Sequence, residues 1–132
     1  IRLSLVGSEM CIRDSLKDGR TMVYGTMGGD GQPQTQAAVF TRYAVFGQAV
    51  QQAITAPRWL LGRTWGQSSD SLKLESRFAP EIIDGLRKLG HEVDVIAEFD
   101  EMVGHAAAIV RDADGIFAGG FDPRSNGIAA GF

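Results

Sequence analysis

Two adjacent glycines, Gly28 and Gly29, stand where a strand-like stretch ends and a helix-like stretch begins. Backbone N–H groups at such a corner are not committed to regular pairing, and glycine has no side chain to obstruct a ligand. The start of a helix adds partial positive charge. The combination suits an anion, either a phosphate or the oxyanion of an acyl-transfer intermediate. A plain turn that needs positive φ would use the same residues. Spacing excludes two phosphate motifs. No Gly-Lys-Ser/Thr follows, so this is not a P-loop. Gly28, Gly29 and Gly31 also miss the G-x-G-x-x-G pattern, with Pro33 and Gln34 coming next.

The other polar candidates read first as structure. Asp122-Pro123-Arg124 could orient a substrate carboxylate through a bidentate guanidinium, but a structural corner is the simpler expectation. Arg58, after Ala56-Pro57, reads as half of a structural ion pair. His105 reads as a satisfied structural histidine, with a hydrogen-bonding role beside a pocket as the alternative. His91 is the only other histidine, so no histidine-based metal site is expected. Trp59 and Trp65 read as anchors of a long loop. Glu98, Asp100 and Glu101 read as a solvated connection.

The 132 residues make one domain's worth of sequence. Hydrophobic residues at 44% and charged residues at 22% fit a folded domain rather than a disordered one. No apolar run is long enough to span a bilayer. A net charge of -3 supplies no basic field for nucleic acid. One cysteine, Cys11, excludes an internal disulfide and a multi-cysteine metal site. Compartment stays open between cytoplasm and periplasm.

Residues 1–15 read as foreign to the rest. Leu3 to Ser15 closely resembles a translated sequencing-adaptor read. A signal peptide is the alternative, but Glu9 interrupts the apolar run and no small-residue cleavage site follows. On this reading the native chain runs from Leu16 to Phe132 and begins inside an element.

The elements that must position the glycines follow from pattern. Asp18-Gly19 marks a turn. Arg20 to Gly25 reads as a strand. A helix is expected from Pro33 to Ala53, with Val39, Tyr43, Phe46 and Val50 as its apolar stripe. Thr55-Ala56-Pro57 ends it. Arg58 to Asp70 has no clear period and reads as a long ordered excursion. Leu72 to Glu75 is a short strand. Phe78-Ala79-Pro80 opens a second helix, with Ile82, Ile83, Leu86 and Leu89 buried and Gly90 as its left-handed stop. His91 to Glu98 and His105 to Arg111 read as strands. Asp112 to Gly115 is a hairpin turn returning through Ile116 to Phe121. The order β-α-β-α-β-β-β, with a terminal hairpin, predicts a layered α+β fold containing antiparallel pairing.

The stretches KDGRTMVYGTMGGDGQPQTQ, ITAPRW and HAAAIVRDADGIFAGGFDPRSNGIAAG occur in an order that resembles the C-terminal part of the gamma-glutamyltranspeptidase family. The resemblance covers Leu16 to Phe132. It implies a partial αββα sandwich of the N-terminal-nucleophile hydrolase type, with a mixed or antiparallel sheet. It implies a precursor that cleaves itself to expose a threonine, whose own α-amine serves as general base. It implies hydrolysis or transfer of a gamma-glutamyl group or a related small amide, without metal or organic cofactor. Gly28 and Gly29 would then stabilise the oxyanion through their N–H groups. The partners implied are the rest of the precursor and a small-molecule amide.

Two departures qualify the resemblance. The nucleophilic threonine and the upstream serines and asparagine are absent, and neither Thr21 nor Thr26 replaces the nucleophile. The chain alone is therefore expected to be inactive. Typical members read Gly-Ser-Pro-Gly-Gly-Ser at the loop, whereas this chain reads Gly25-Thr26-Met27-Gly28-Gly29-Asp30. That form resembles a divergent branch that includes amidohydrolases of other small amides, such as oxamate. Met27, Asp30 and Gln32 would then shape the pocket rim. A non-catalytic αβ module, or a degenerate subunit binding a small anion at the glycines, is the competing reading. An intact parent gene lacking the threonine would favour it.

Overall fold

The computed structural model describes residues 10–16, 18–63 and 69–131. The chain forms two sheets. The larger is antiparallel throughout, in the order β1 (Met10–Ser15), β2 (Thr21–Thr26), β6 (Ala106–Arg111), β7 (Phe117–Phe121). The smaller is mixed, in the order β3 (Trp59–Leu61), β4 (Leu72–Glu75), β5 (Val93–Ile96), with β3 antiparallel and β5 parallel to β4.

Alternation along β2 and β6 decides which face is covered. Met22, Tyr24, Thr26, Ala106, Ala108 and Val110 are buried on one side. Helices α1 (Gln32–Ala44) and α2 (Val50–Thr55) lie there and contribute Val39, Tyr43, Val50, Ala53 and Ile54 to a single core. Burying a side chain such as Val39 or Ile54 stabilises by about 1.5–3 kcal/mol. Close approach is built in at β7: a Cβ on Gly120 would lie 2.8 Å from Ile54 Cδ1. The opposite face keeps Val23, Ile109 and Phe117 exposed. After β7 the tail folds back, so that Gly127 lies against the Phe121 ring and Ala129 against Gly119.

Helix α3 (Pro80–Lys88) is the crossover between the parallel strands β4 and β5. Pro80 occupies its first turn, where a missing N–H costs nothing. Gly90, at φ 92°, stops it. Its Ile83 packs with Leu72 and Leu74, flanked by Trp59, Phe78, Leu86 and Val93.

The predicted α+β class holds, with three corrections in detail. The helix expected from Pro33 to Ala53 is two helices. Gly47, at φ 67°, turns the chain between them and leaves Phe46 72% exposed. Apolar spacing cannot see such a turn, because Val39, Tyr43 and Val50 all reach the same core from different helices. Ile82 and Leu89 face outward, since the small sheet offers α3 only a narrow strip through Ile83 and Leu86. The excursion from Arg58 contains β3, and Trp59 packs in the smaller core. Trp65 lies outside the described residues. Met10–Ser15 pairs as β1 along the free edge of β2, in a register that sets Met10 opposite Thr26.

Candidate active site

Strand β2 delivers the chain to the glycine corner. The Met27 N–H donates to the His105 carbonyl at 3.1 Å, extending the β2–β6 ladder by one step. The Met27 carbonyl turns back and accepts the Thr26 hydroxyl at 2.8 Å. Gly28 (φ 133°) and Gly29 (φ 54°) then take conformations that side chains resist. A short 3-10 turn, Gly29–Gly31, closes when the Gly31 N–H donates to the Gly28 carbonyl at 3.0 Å, and it runs directly into α1. Among the described residues, neither the Gly28 nor the Gly29 N–H makes a hydrogen bond. Both stand at the positive end of the helical segment, where an anion is favoured.

Neighbouring elements hold this corner from three sides. Gly31 packs against Leu60 so closely that a Cβ there would lie 2.8 Å from Leu60 Cδ1. The Gln34 amide bonds both backbone groups of Leu61, at 2.8 and 2.9 Å. The Thr35 hydroxyl donates to the Val103 carbonyl at 2.9 Å. Gly104 supports the loop from behind, and a Cβ on Gly28 would lie 3.2 Å from its Cα.

A cleft of about 440 Å³ opens on the uncovered face of the larger sheet, walled by Val23, Gly25, Met27, His105, Ala107 and Phe121. Of the five residues predicted for the site, Met27 lines this cleft. Gly28 is buried and Gly29 half-buried behind it, Asp30 is exposed, and Gln32 is buried at the start of α1. The cleft therefore reaches the edge of the glycine corner and stops at Met27. His105 lines it too, and its Nε2 is enclosed without a partner among the described residues.

Behind the corner lies a buried ionic lattice. An Arg58 Nη2 donates to Asp122 Oδ2 and, at 2.8 Å, to the Gly104 carbonyl. Asp122 also accepts the Ala106 N–H at 2.6 Å and both the N–H and Nη1 of Arg124 at 3.0 Å. Arg124 grips Glu75 with two bonds of 2.6 Å, and Glu75 accepts the Arg58 N–H at 3.0 Å. All four side chains are at most 1% exposed. Burial pulls the Arg58 guanidinium down to about 10, opposed by the charge of Asp122, so it stays cationic at neutral pH. Arginines also satisfy the carbonyls that end α2: Arg42 takes Ala53 and Pro57, Arg124 takes Ile54 and Ala56, and Arg77 takes Thr55. Arg58 and Arg124 thus act as structural ties, as their sequence contexts suggested. Sequence patterns missed Glu75, because Lys73 and Glu75 alternate with Leu72 and Leu74 like a solvent-facing row. All four are buried.

The chain folds as a mixed α+β unit with two sheets. It is similar to a solved gamma-glutamyltranspeptidase from Pseudomonas nitroreducens, with a TM-score of 0.75 at 18% identity over 100% of this chain and 66% of the other. The family model for gamma-glutamyltranspeptidase matches residues 8–132, and the chain belongs to that family. It is 68% identical over 117 residues to the oxamate amidohydrolase proenzyme of Klebsiella pneumoniae subsp. pneumoniae, covering 89% of this chain and 22% of the relative. It is 48% identical over 110 residues to the glutathione hydrolase-like YwrD proenzyme of Bacillus subtilis, covering 83% and 21%. The chain therefore spans about a fifth of the length of these relatives.

Proposed function

We propose that this chain is the C-terminal part of a self-processing amide hydrolase, and that Gly28 and Gly29 supply its oxyanion donors. The observation that carries the reading is the pair of unengaged N–H groups at the start of the 3-10 turn that leads into α1, beside a cleft that Met27 borders. In the full enzyme a threonine from upstream adds its hydroxyl oxygen to the amide carbon, and its free α-amine takes the proton. Negative charge then develops on the carbonyl oxygen. The two glycine N–H groups meet that charge, and one such donor is worth about 3–4 kcal/mol of barrier. Collapse expels the amine, which takes up the proton, and water releases the acid from the acyl-enzyme.

The substrate is a small amide. The 68% identical relative is called an oxamate amidohydrolase and the 48% identical one is glutathione hydrolase-like, which favours oxamate over a gamma-glutamyl amide. Met27, Asp30 and Gln32 belong to the segment that sets this choice, with Met27 at the cleft. This chain holds no nucleophile and is inactive without the rest of its precursor. Residues 1–15 are extraneous in this reading. Strand pairing uses main-chain groups and tolerates almost any sequence at a free edge, so the pairing of Met10–Ser15 with β2 is compatible with that reading.

Sequencing the parent gene across the junction before Leu16, then assaying its product for ammonia release from oxamate and amine release from a gamma-glutamyl anilide, tests the proposal. Self-cleavage before a threonine and hydrolysis of either amide are the expected results. An intact gene without that threonine, or a processed protein that cleaves neither amide, would overturn it.

A further inference from the structure

We propose that Thr26 is a positioning residue that fixes the direction of the Gly28 N–H. The inference rests on the reading of Gly28 and Gly29 given above. A trans peptide is planar, so the Met27 carbonyl and the Gly28 N–H point in opposite directions from one rigid unit. Whatever holds that carbonyl aims that N–H. The Thr26 hydroxyl donates to the Met27 carbonyl at 2.8 Å, and Thr26 is itself buried. Gly104 closes the other side: a Cβ there would collide with the Met27 carbonyl oxygen and lie 2.9 Å from Thr26 Oγ1.

Gly104 is itself anchored. Its carbonyl accepts Arg58 at 2.8 Å, and its N–H donates to the Glu101 carbonyl at 2.9 Å. The preceding peptide is pinned by the Met27 N–H on the His105 carbonyl. The Gly28 N–H is thereby turned away from Thr26 and Gly104. The need for a clamp comes from the glycine. Gly28 has no Cβ to restrict it, and the peptide before a glycine can rotate at small cost. An inverted peptide would present a carbonyl oxygen where the developing oxyanion needs a donor, and would repel it.

The test compares wild type, Thr26→Val and Thr26→Ser in the full-length, self-processed enzyme, using whichever of oxamate and a gamma-glutamyl anilide the wild type cleaves faster. Val keeps the shape and removes the hydroxyl, whereas Ser keeps the hydroxyl. Thr26→Val should lower kcat by about tenfold to a hundredfold, short of the ~10²–10³ lost with a whole donor. KM should move less than about threefold, and Ser should restore most of kcat. Unchanged kcat in Thr26→Val, or a Ser variant as impaired as the Val variant, overturns the proposal. If Thr26→Val prevents self-cleavage, the crystal structure of the uncleaved precursor decides. A turned Met27–Gly28 peptide supports the clamp, and an unturned one overturns it. A wild-type structure with the nucleophile trapped by an electrophilic analogue separates the two levels. An acyl oxygen resting on donors other than Gly28 and Gly29 removes the underlying reading. An oxygen on those glycines, with full activity in Thr26→Val, removes the clamp alone.

Discussion

Arg58 and Asp122, 64 residues apart in the chain, form a fully buried ion pair that also supports the glycine corner through the Gly104 carbonyl. The pair joins the segment leaving α2 to the bend after β7. Asp122 also serves Arg124 and the Ala106 N–H, so three groups depend on one carboxylate.

Replacing Asp122 with Ala would leave the buried Arg58 guanidinium without its carboxylate, while Arg124 keeps Glu75. Removing one partner of a buried pair costs about 3–5 kcal/mol. The full-length Asp122→Ala protein should show a markedly lower apparent Tm and urea midpoint than wild type. A shift within the error of the measurement would show that the lattice contributes little.

Gly104 and Gly115 both have positive φ, 81° and 90°, and Gly104, with ψ 166°, lies in a region open almost only to glycine, so alanine strains the backbone at either. A Cβ at Gly115 meets nothing closer than 3.5 Å, whereas one at Gly104 strikes the Met27 carbonyl. Gly104→Ala should therefore lose most amide-hydrolysing activity. Gly115→Ala should lose stability with little change in kcat. Equal activity in the two variants would separate Gly104 from the site.

Two other glycines should respond in opposite directions. Gly85 lies inside α3 with open space around its missing Cβ, so Gly85→Ala should stabilise by about 0.4–1 kcal/mol. Gly47 holds the left-handed turn between α1 and α2, so Gly47→Ala should destabilise by about 1–2 kcal/mol. Thermal melts of the two variants beside wild type measure both signs at once.

The uncovered sheet face predicts the behaviour of the chain on its own. Val23, Ile109 and Phe117 are 45%, 55% and 67% exposed on one side of the larger sheet. An apolar surface of this kind promotes association. The segment from Leu16 to Phe132, expressed alone, should run as oligomers or aggregates in size-exclusion chromatography with light scattering. A monomeric product with a cooperative melt would contradict the expectation.

Much of the fold is legible in the sequence. β4 falls on Leu72–Glu75 as expected, and α3 opens at Pro80 and stops at Gly90. The β6–β7 hairpin turns at Asp112 to Gly115 as composition suggested. The glycine corner was visible because two consecutive positive-φ residues between strand and helix leave a signature that no side chain can imitate. The divided helix and β3 were not visible. Gly47 is one glycine among 17, and nothing local marks it as the one that turns. β3 is three residues long, too short for a period to register.

The sequence alone determined that α3 opens at Pro80 and stops at Gly90, that a hairpin turns at Asp112 to Gly115, and where a backbone anion site could form. Those properties are set by dihedral limits and by spacing within a few residues. Only the tertiary structure decided that Lys73 and Glu75 are interior, that Arg58, Glu75, Asp122 and Arg124 form one lattice, and that Thr26 and Gly104 enclose the Met27 carbonyl. The lattice joins residues as far as 64 positions apart, and the energy of a buried charge or a pinned peptide depends on which distant groups folding brings within hydrogen-bond reach.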